Sequence, residues 1–149
     1  MSTKEEEIKI VFIAHGSYAE AMVAAAEALV GPLSITIVAL DADASRVTIR
    51  RAIDDAAEQG PALLLTDLCG ATPANICLDV AADRADREVV TGVNLPMLVR
   101  LSTADRSLGV AQLGKQLQVT TRRCVCLRDE MAPATLNTLN TETGEGIGG

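Results

Sequence analysis

His15 is the only histidine in the chain, and it stands at the end of a short apolar run, directly before Gly16 and Ser17. Imidazole side chains are largely neutral at pH 7, with a reference pKa of ~6.5, and a neutral ring nitrogen is a competent nucleophile toward phosphorus. Gly16 leaves room for an incoming group, and the unpaired amides of a helix that starts near Ser17 can receive phosphate oxygens. Asp67 closes a second apolar run. A carboxylate beside His15 would fix the ring tautomer and stabilise the positive charge that develops on it, provided that it stays on the far side from the phosphate. The hydroxyl of Thr72, with backbone amides beyond Gly70 and Ala71, offers a second set of donors to phosphoryl oxygens. Each residue also has a plainer role open to it: His15 as a solvated turn residue, Asp67 as a loop acid, Thr72 as a helix cap.

These side chains meet only if the elements behind them are neighbours. Residues 8–14 (IKIVFIA) form a nearly continuous apolar run rich in β-branched residues, as expected of a strand covered on both faces. Ser17 and Glu20 have the spacing of a capping box, and Ala19, Met22, Val23, Ala26 and Val30 recur at helical spacing until Gly31-Pro32. A second strand at Ile35–Leu40 leads to a helix capped by Ser45. A third strand at Ala62–Thr66 leads to a helix with Thr72 as its cap and Pro73 at its first position. Residues 88–92 read as a fourth strand, Asn94 as the cap of a short helix, 108–119 as a weaker helix, and 124–127 as a last strand.

Strands alternating with helices predict an α/β fold, an open and mostly parallel five-stranded sheet with helices on both faces. Ligands of such sheets bind beyond the carboxyl ends of the strands, where the strand order reverses. The 149 residues suit one domain, over residues 1–130, followed by a polar tail expected to be disordered over 131–149.

Composition narrows the partners. A net charge of −7 opposes nucleic-acid binding, which depends on clustered Lys and Arg. Acidic residues precede the first apolar run, the wrong charge order for a secretory signal, and no apolar stretch approaches the ~18 residues that cross a bilayer. A cytoplasmic protein is expected. Cys69, Cys77, Cys124 and Cys126 lack paired C-x-x-C spacing, so no metal site is predicted and they read as buried small hydrophobes held as thiols. No cofactor is predicted: there is no glycine-rich phosphate loop, and Phe12 and Tyr18 are the only aromatics.

Three blocks, IVFIAHGSYAEAM around His15, LLLTDLCGATPAN over 63–75 and VVTGVNLPML over 89–98, resemble enzyme IIA of the mannose class of the bacterial phosphoenolpyruvate-dependent sugar phosphotransferase system (PTS). The resemblance covers roughly residues 8–128. It implies that His15 is phosphorylated by the phosphocarrier HPr, that Asp67 is its hydrogen-bonded companion, that Thr72 lies close to the phosphoryl group, and that Asn94 belongs to a loop bordering the site. It also implies a flavodoxin-like strand order, a IIB protein as acceptor, and a homodimer that exchanges its last strand, antiparallel to its neighbour. Ala71 and Ala74 depart from the family, whose members commonly carry Gly and Phe there.

Other readings stay in play. A regulatory IIA-like protein of a PTS without sugar transport would share every motif. Tetrapyrrole chelatases share Ala-His-Gly-Ser but use a second histidine, which this chain lacks. The phosphotransfer subunit of dihydroxyacetone kinase would also use His15, but the second and third blocks favour the mannose class. A flavodoxin-like binding module lacks the ring-stacking aromatics.

Overall fold

The structure is a computed structural model and describes residues 6–131. Four short apolar segments form its centre: β1 (Lys9–His15), β2 (Ile35–Leu40), β3 (Ala62–Thr66) and β4 (Arg87–Val90) pair in parallel in the order β2-β1-β3-β4. β3 is buried at every position, which is why its sequence ALLLT does not alternate. Around the sheet lie α1 (Tyr18–Val30), α2 (Arg46–Ala57), α3 (Thr72–Ala81), α4 (Leu95–Leu101) and α5 (Val110–Arg123), with single 3₁₀ turns at Arg106–Leu108 and Arg128–Glu130.

Side-chain alternation along the strands divides the core in two. Ile10, Phe12, Ala14, Leu63 and Leu65 pack with α1, α4 and α5 on one face. Val11, Ile13, Ala62 and Leu64 pack with α2 and α3 on the other. The helices therefore cover both faces, as predicted. On this alternation His15 and Thr66 leave the sheet toward the α2 and α3 side.

The number of strands is corrected. Among the described residues the sheet has four strands rather than five, and β4 is an edge. α5 runs to Arg123, past the expected end near Val119, and Cys124 closes it at φ −82°, ψ −4°. That overrun takes up the chain that would have carried residues 124–127 back to β4. Residues 132–149, which include nearly all of the expected tail, lie outside the described residues.

Two caps are corrected as well. Ser17 sits at φ −93°, ψ 10°, outside the extended conformation a capping side chain needs, and its hydroxyl makes no cap bond. Ala71, not Thr72, holds the cap position of α3, so Thr72 is the first helical residue. Ser45 does cap α2, accepting from the Thr48 amide at 3.2 Å. Ser45→Ala should therefore cost about 1 kcal/mol of stability while Ser17→Ala leaves it within about 0.5 kcal/mol. Urea titrations of the two variants separate these outcomes, and equal losses would mean that the Ser17 cap forms in solution.

All four cysteines are free thiols, but only Cys77 is a buried hydrophobe. Burial pushes its thiol up to about 12. Cys69 is exposed, and Cys124 and Cys126 are half-buried, contrary to expectation. The short loop after Asp67 and the end of α5 lie outside the two packed cores.

Candidate functional site

β1 and β3 are adjacent, with Ile13 opposite Thr66, so His15 and Asp67 emerge from the carboxyl ends of neighbouring strands. The chain steps from β1 to β2 on one side, then crosses to β3 and β4 on the other. The strand order thus reverses between β1 and β3, the place where open parallel sheets leave a ligand crevice.

There Asp67 holds His15 twice with one oxygen. Its Oδ2 accepts the His15 backbone amide at 3.0 Å and lies 2.8 Å from the ring Nδ1. Its Oδ1 accepts the Leu68 amide at 2.8 Å. An ionised carboxylate only accepts, so this contact requires the proton on Nδ1 and leaves the lone pair on Nε2. The Asp67 side chain is 12% exposed and that of His15 is 54% exposed. The holding group is covered and the held ring is open.

Burial alone would raise the Asp67 carboxyl, but hydrogen bonds from the His15 amide and ring, with the Leu68 amide, outweigh it and hold the group below 3.8. A folded-state pKa below the unfolded value contributes stability that is fully present above the unfolded value and fades as pH falls through the folded one. Wild type should therefore exceed Asp67→Asn in stability near pH 6, and the gap should narrow below about pH 4, since model aspartates titrate near there. Melting curves from pH 3 to 6 would show it. A gap independent of pH would mean that the ionised carboxylate is not the stabilising form.

The remaining predicted residues are distributed unevenly. Gly16 adopts φ +55°, a turn that favours glycine, but its amide already donates to the Leu40 carbonyl at 3.1 Å. Gly70, at φ +80°, turns the loop into α3. The Ala71 amide makes a long bond to the Leu68 carbonyl, 3.4 Å, and no side chain caps the amides that open α3. Those amides, from Thr72 and Ala74, point out of the helix start, while Pro73 has none to offer. Thr72 is exposed, with its hydroxyl free of any capping duty. Asn94 accepts the Met97 amide at 3.1 Å, so its side chain serves α4.

Two residues escaped the sequence reading. Tyr18 donates from its hydroxyl to the Val93 carbonyl at 3.2 Å and packs edge-on against Phe12, tying the loop before α4 to the start of α1. Its signal was present: it is the chain's one tyrosine and follows His15 by three positions. Thr66 is fully buried beside Asp67 with no partner for its hydroxyl, and nothing in an apolar strand pattern marks it.

Among the described residues no cluster of three His, Cys, Asp or Glu could hold a metal ion, and no helix is long and apolar enough to cross a membrane. The arrangement is that of an exposed ring with Nε2 unbonded, a largely covered carboxylate on its Nδ1 side, and a helix start at Thr72 with no side-chain cap.

Comparison with known proteins bears on the family. Residues 9–118 match the EIIA-man family model, described as PTS system fructose IIA component. The fold superposes on the mannose/sorbose specific IIA subunit of the phosphotransferase system from Enterococcus faecalis, with a TM-score of 0.74 and 25% identity over 82% of this chain and 95% of that one. It superposes equally on phosphotransferase system component EIIA from Streptococcus agalactiae, at a TM-score of 0.74 and 24% identity, covering 82% and 98% of the two chains. The PTS IIA protein associated with the fucose utilization operon from Streptococcus pneumoniae aligns at a TM-score of 0.61 and 23% identity, covering 76% and 90%. No curated protein sequence matches. The chain belongs to the mannose-type enzyme IIA family of the sugar phosphotransferase system.

Proposed function

We propose that this chain is a phosphohistidine carrier that accepts a phosphoryl group from HPr on Nε2 of His15 and passes it to a separate IIB protein for sugar uptake. The observation that carries the reading is the 2.8 Å contact between Nδ1 and Asp67, which frees Nε2 and aims it away from the carboxylate. As the P–N bond to Nε2 forms and the donor's P–N bond breaks, the ring becomes positively charged. Asp67 offsets that charge from the side opposite the phosphate. The open amides of Thr72 and Ala74 and the Thr72 hydroxyl are the donors on offer to the phosphoryl oxygens, at a helix start that favours anions. Gly16 and Ser17 shape the approach to the ring, and Asn94 shapes the rim. Such an exchange takes place in the cytoplasm and uses no metal.

The same reading includes a homodimer. β4 is an unpaired edge beside a groove of about 400 Å³ lined by Val90, Thr91, Gly114, Lys115 and Gln118. Val125 and Leu127 are 78% and 75% exposed, at alternating positions. Residues 124–127 of a second copy would complete the sheet by strand addition.

Incubated with phosphoenolpyruvate, enzyme I and HPr, the protein should take up one phosphoryl group that is lost in acid and kept in base. Phosphorus NMR should place it on Nε2. An acid-stable group, or one on Nδ1, would refute the assignment.

A further inference from the structure

Cys124 and Cys126 stand apart from the site and from both cores. They follow the last turn of α5, and exposure alternates along the segment: Cys124 and Cys126 are half-buried while Val125 and Leu127 are exposed. Cys124 is drawn back onto the helix, its amide donating to the carbonyls of Thr120 and Thr121 at 3.1 and 3.3 Å. Cys126 folds over the same end, its Sγ lying 3.2 Å from the Arg123 carbonyl, which is bonded to the Cys124 nitrogen. The bent backbone at Cys124, φ −82° and ψ −4°, makes this return possible.

We propose that Cys124 and Cys126 are a reversible dithiol–disulfide site whose closure holds residues 124–127 out of an extended conformation. The geometry of the two states is exclusive. In a strand, residues two apart lie ~6.6 Å from each other on the same face. A disulfide needs its Cβ atoms at ~3.8 Å. A closed Cys-Val-Cys bridge therefore requires the segment to bend and is incompatible with a regular strand. Proximity also shows in the electrostatics: burial raises the Cys124 thiol, and the neighbouring Cys126 charge raises it further. Oxidation by a glutathione-type disulfide balances in two exchanges. The Cys126 thiolate attacks the oxidant and expels one glutathione thiolate. Cys124, losing its proton to water, then displaces the second glutathione from the mixed disulfide. Both electrons of the new S–S bond's formation end on the two released thiols.

The consequence for assembly rests on the strand-exchange reading given above. In the reduced chain the segment is free to extend onto the β4 edge of a second copy; in the oxidised chain it is not.

The whole protein is equilibrated in glutathione buffers from fully reduced to fully oxidised, quenched by alkylation and digested with trypsin. The peptide from Cys124 to Arg128 should lose two hydrogens and escape alkylation in the oxidised buffers. Mass in solution should fall from twice 15.6 kDa to 15.6 kDa over the same range. Cys126→Ser should keep the larger mass in every buffer. Glutathione adducts or chain-to-chain links in place of the internal bridge overturn the proposal, as does a dimer that persists once the bridge is closed. Phosphoryl uptake from phosphorylated HPr, measured in reducing buffer, reports on the carrier reading alone. A reduced chain that is already monomeric, yet still takes up phosphate, removes the strand exchange and with it the switch.

Discussion

His15→Asn retains no phosphoryl group from HPr, a complete loss rather than a slowing, because the chain holds no second imidazole to take over. Asparagine is the informative replacement. Its amide nitrogen stands at the place of Nδ1, the atom that meets Asp67, so the hydrogen bond survives while the nucleophile at Nε2 does not. The side chain is more than half exposed, so stability should stay within about 0.5 kcal/mol of wild type. Radiolabel transfer and a melting curve on the same sample separate chemistry from folding. Label that remains on the variant, stable to base, would mean that another residue carries the phosphate.

Asp67→Asn comes second in size, with transfer slowed about 10–100-fold, by analogy with the loss when the hydrogen-bonding partner of a metal-bound histidine is removed. The wild-type geometry shows why an amide of nearly the same shape fails. The two carboxylate oxygens face donors on both sides, the Leu68 amide at 2.8 Å and the His15 amide at 3.0 Å. An asparagine can present its oxygen to only one of them. With its nitrogen toward Leu68, two N–H groups collide; with it toward His15, the ring's preferred tautomer is lost as well. On the proposed carrier reading, neutralisation also removes the charge that would balance a phosphorylated ring. Rapid-quench kinetics against phosphorylated HPr would measure the effect, and an unchanged rate would make Asp67 a purely structural partner.

Much of this was legible from residue order. β3 lies where its apolar run places it, because a strand covered on both faces must be apolar throughout and Gly60-Pro61 bounds it; β2 also lies where expected, although it is an edge strand with Thr36 and Ala39 exposed. The meeting of His15 and Asp67 followed from strand neighbourhood alone, since parallel neighbours end at the same rim. The errors fall where a residue's neighbour in space decides its conformation. Ser17 and Glu20 have the right spacing for a capping box, yet the left-handed turn at Gly16 feeds Ser17 in at the wrong backbone angles. Thr72 is displaced by a single position, which is enough to move its hydroxyl from capping to solvent. A last strand was expected over residues 124–127, but a strand needs an edge to pair with, and within the described residues α5 ends too late to return to one.

The exposure of the His15 ring has a consequence for selectivity. A ring more than half exposed, with nothing among the described residues folding over it, gives a small phosphate ester few walls to grip. Discrimination must then come from the shape of a protein that delivers the group, pressed over the whole rim at once. The chain should be indifferent to low-molecular-weight phosphate donors, however reactive, and fast only toward a carrier whose surface fits.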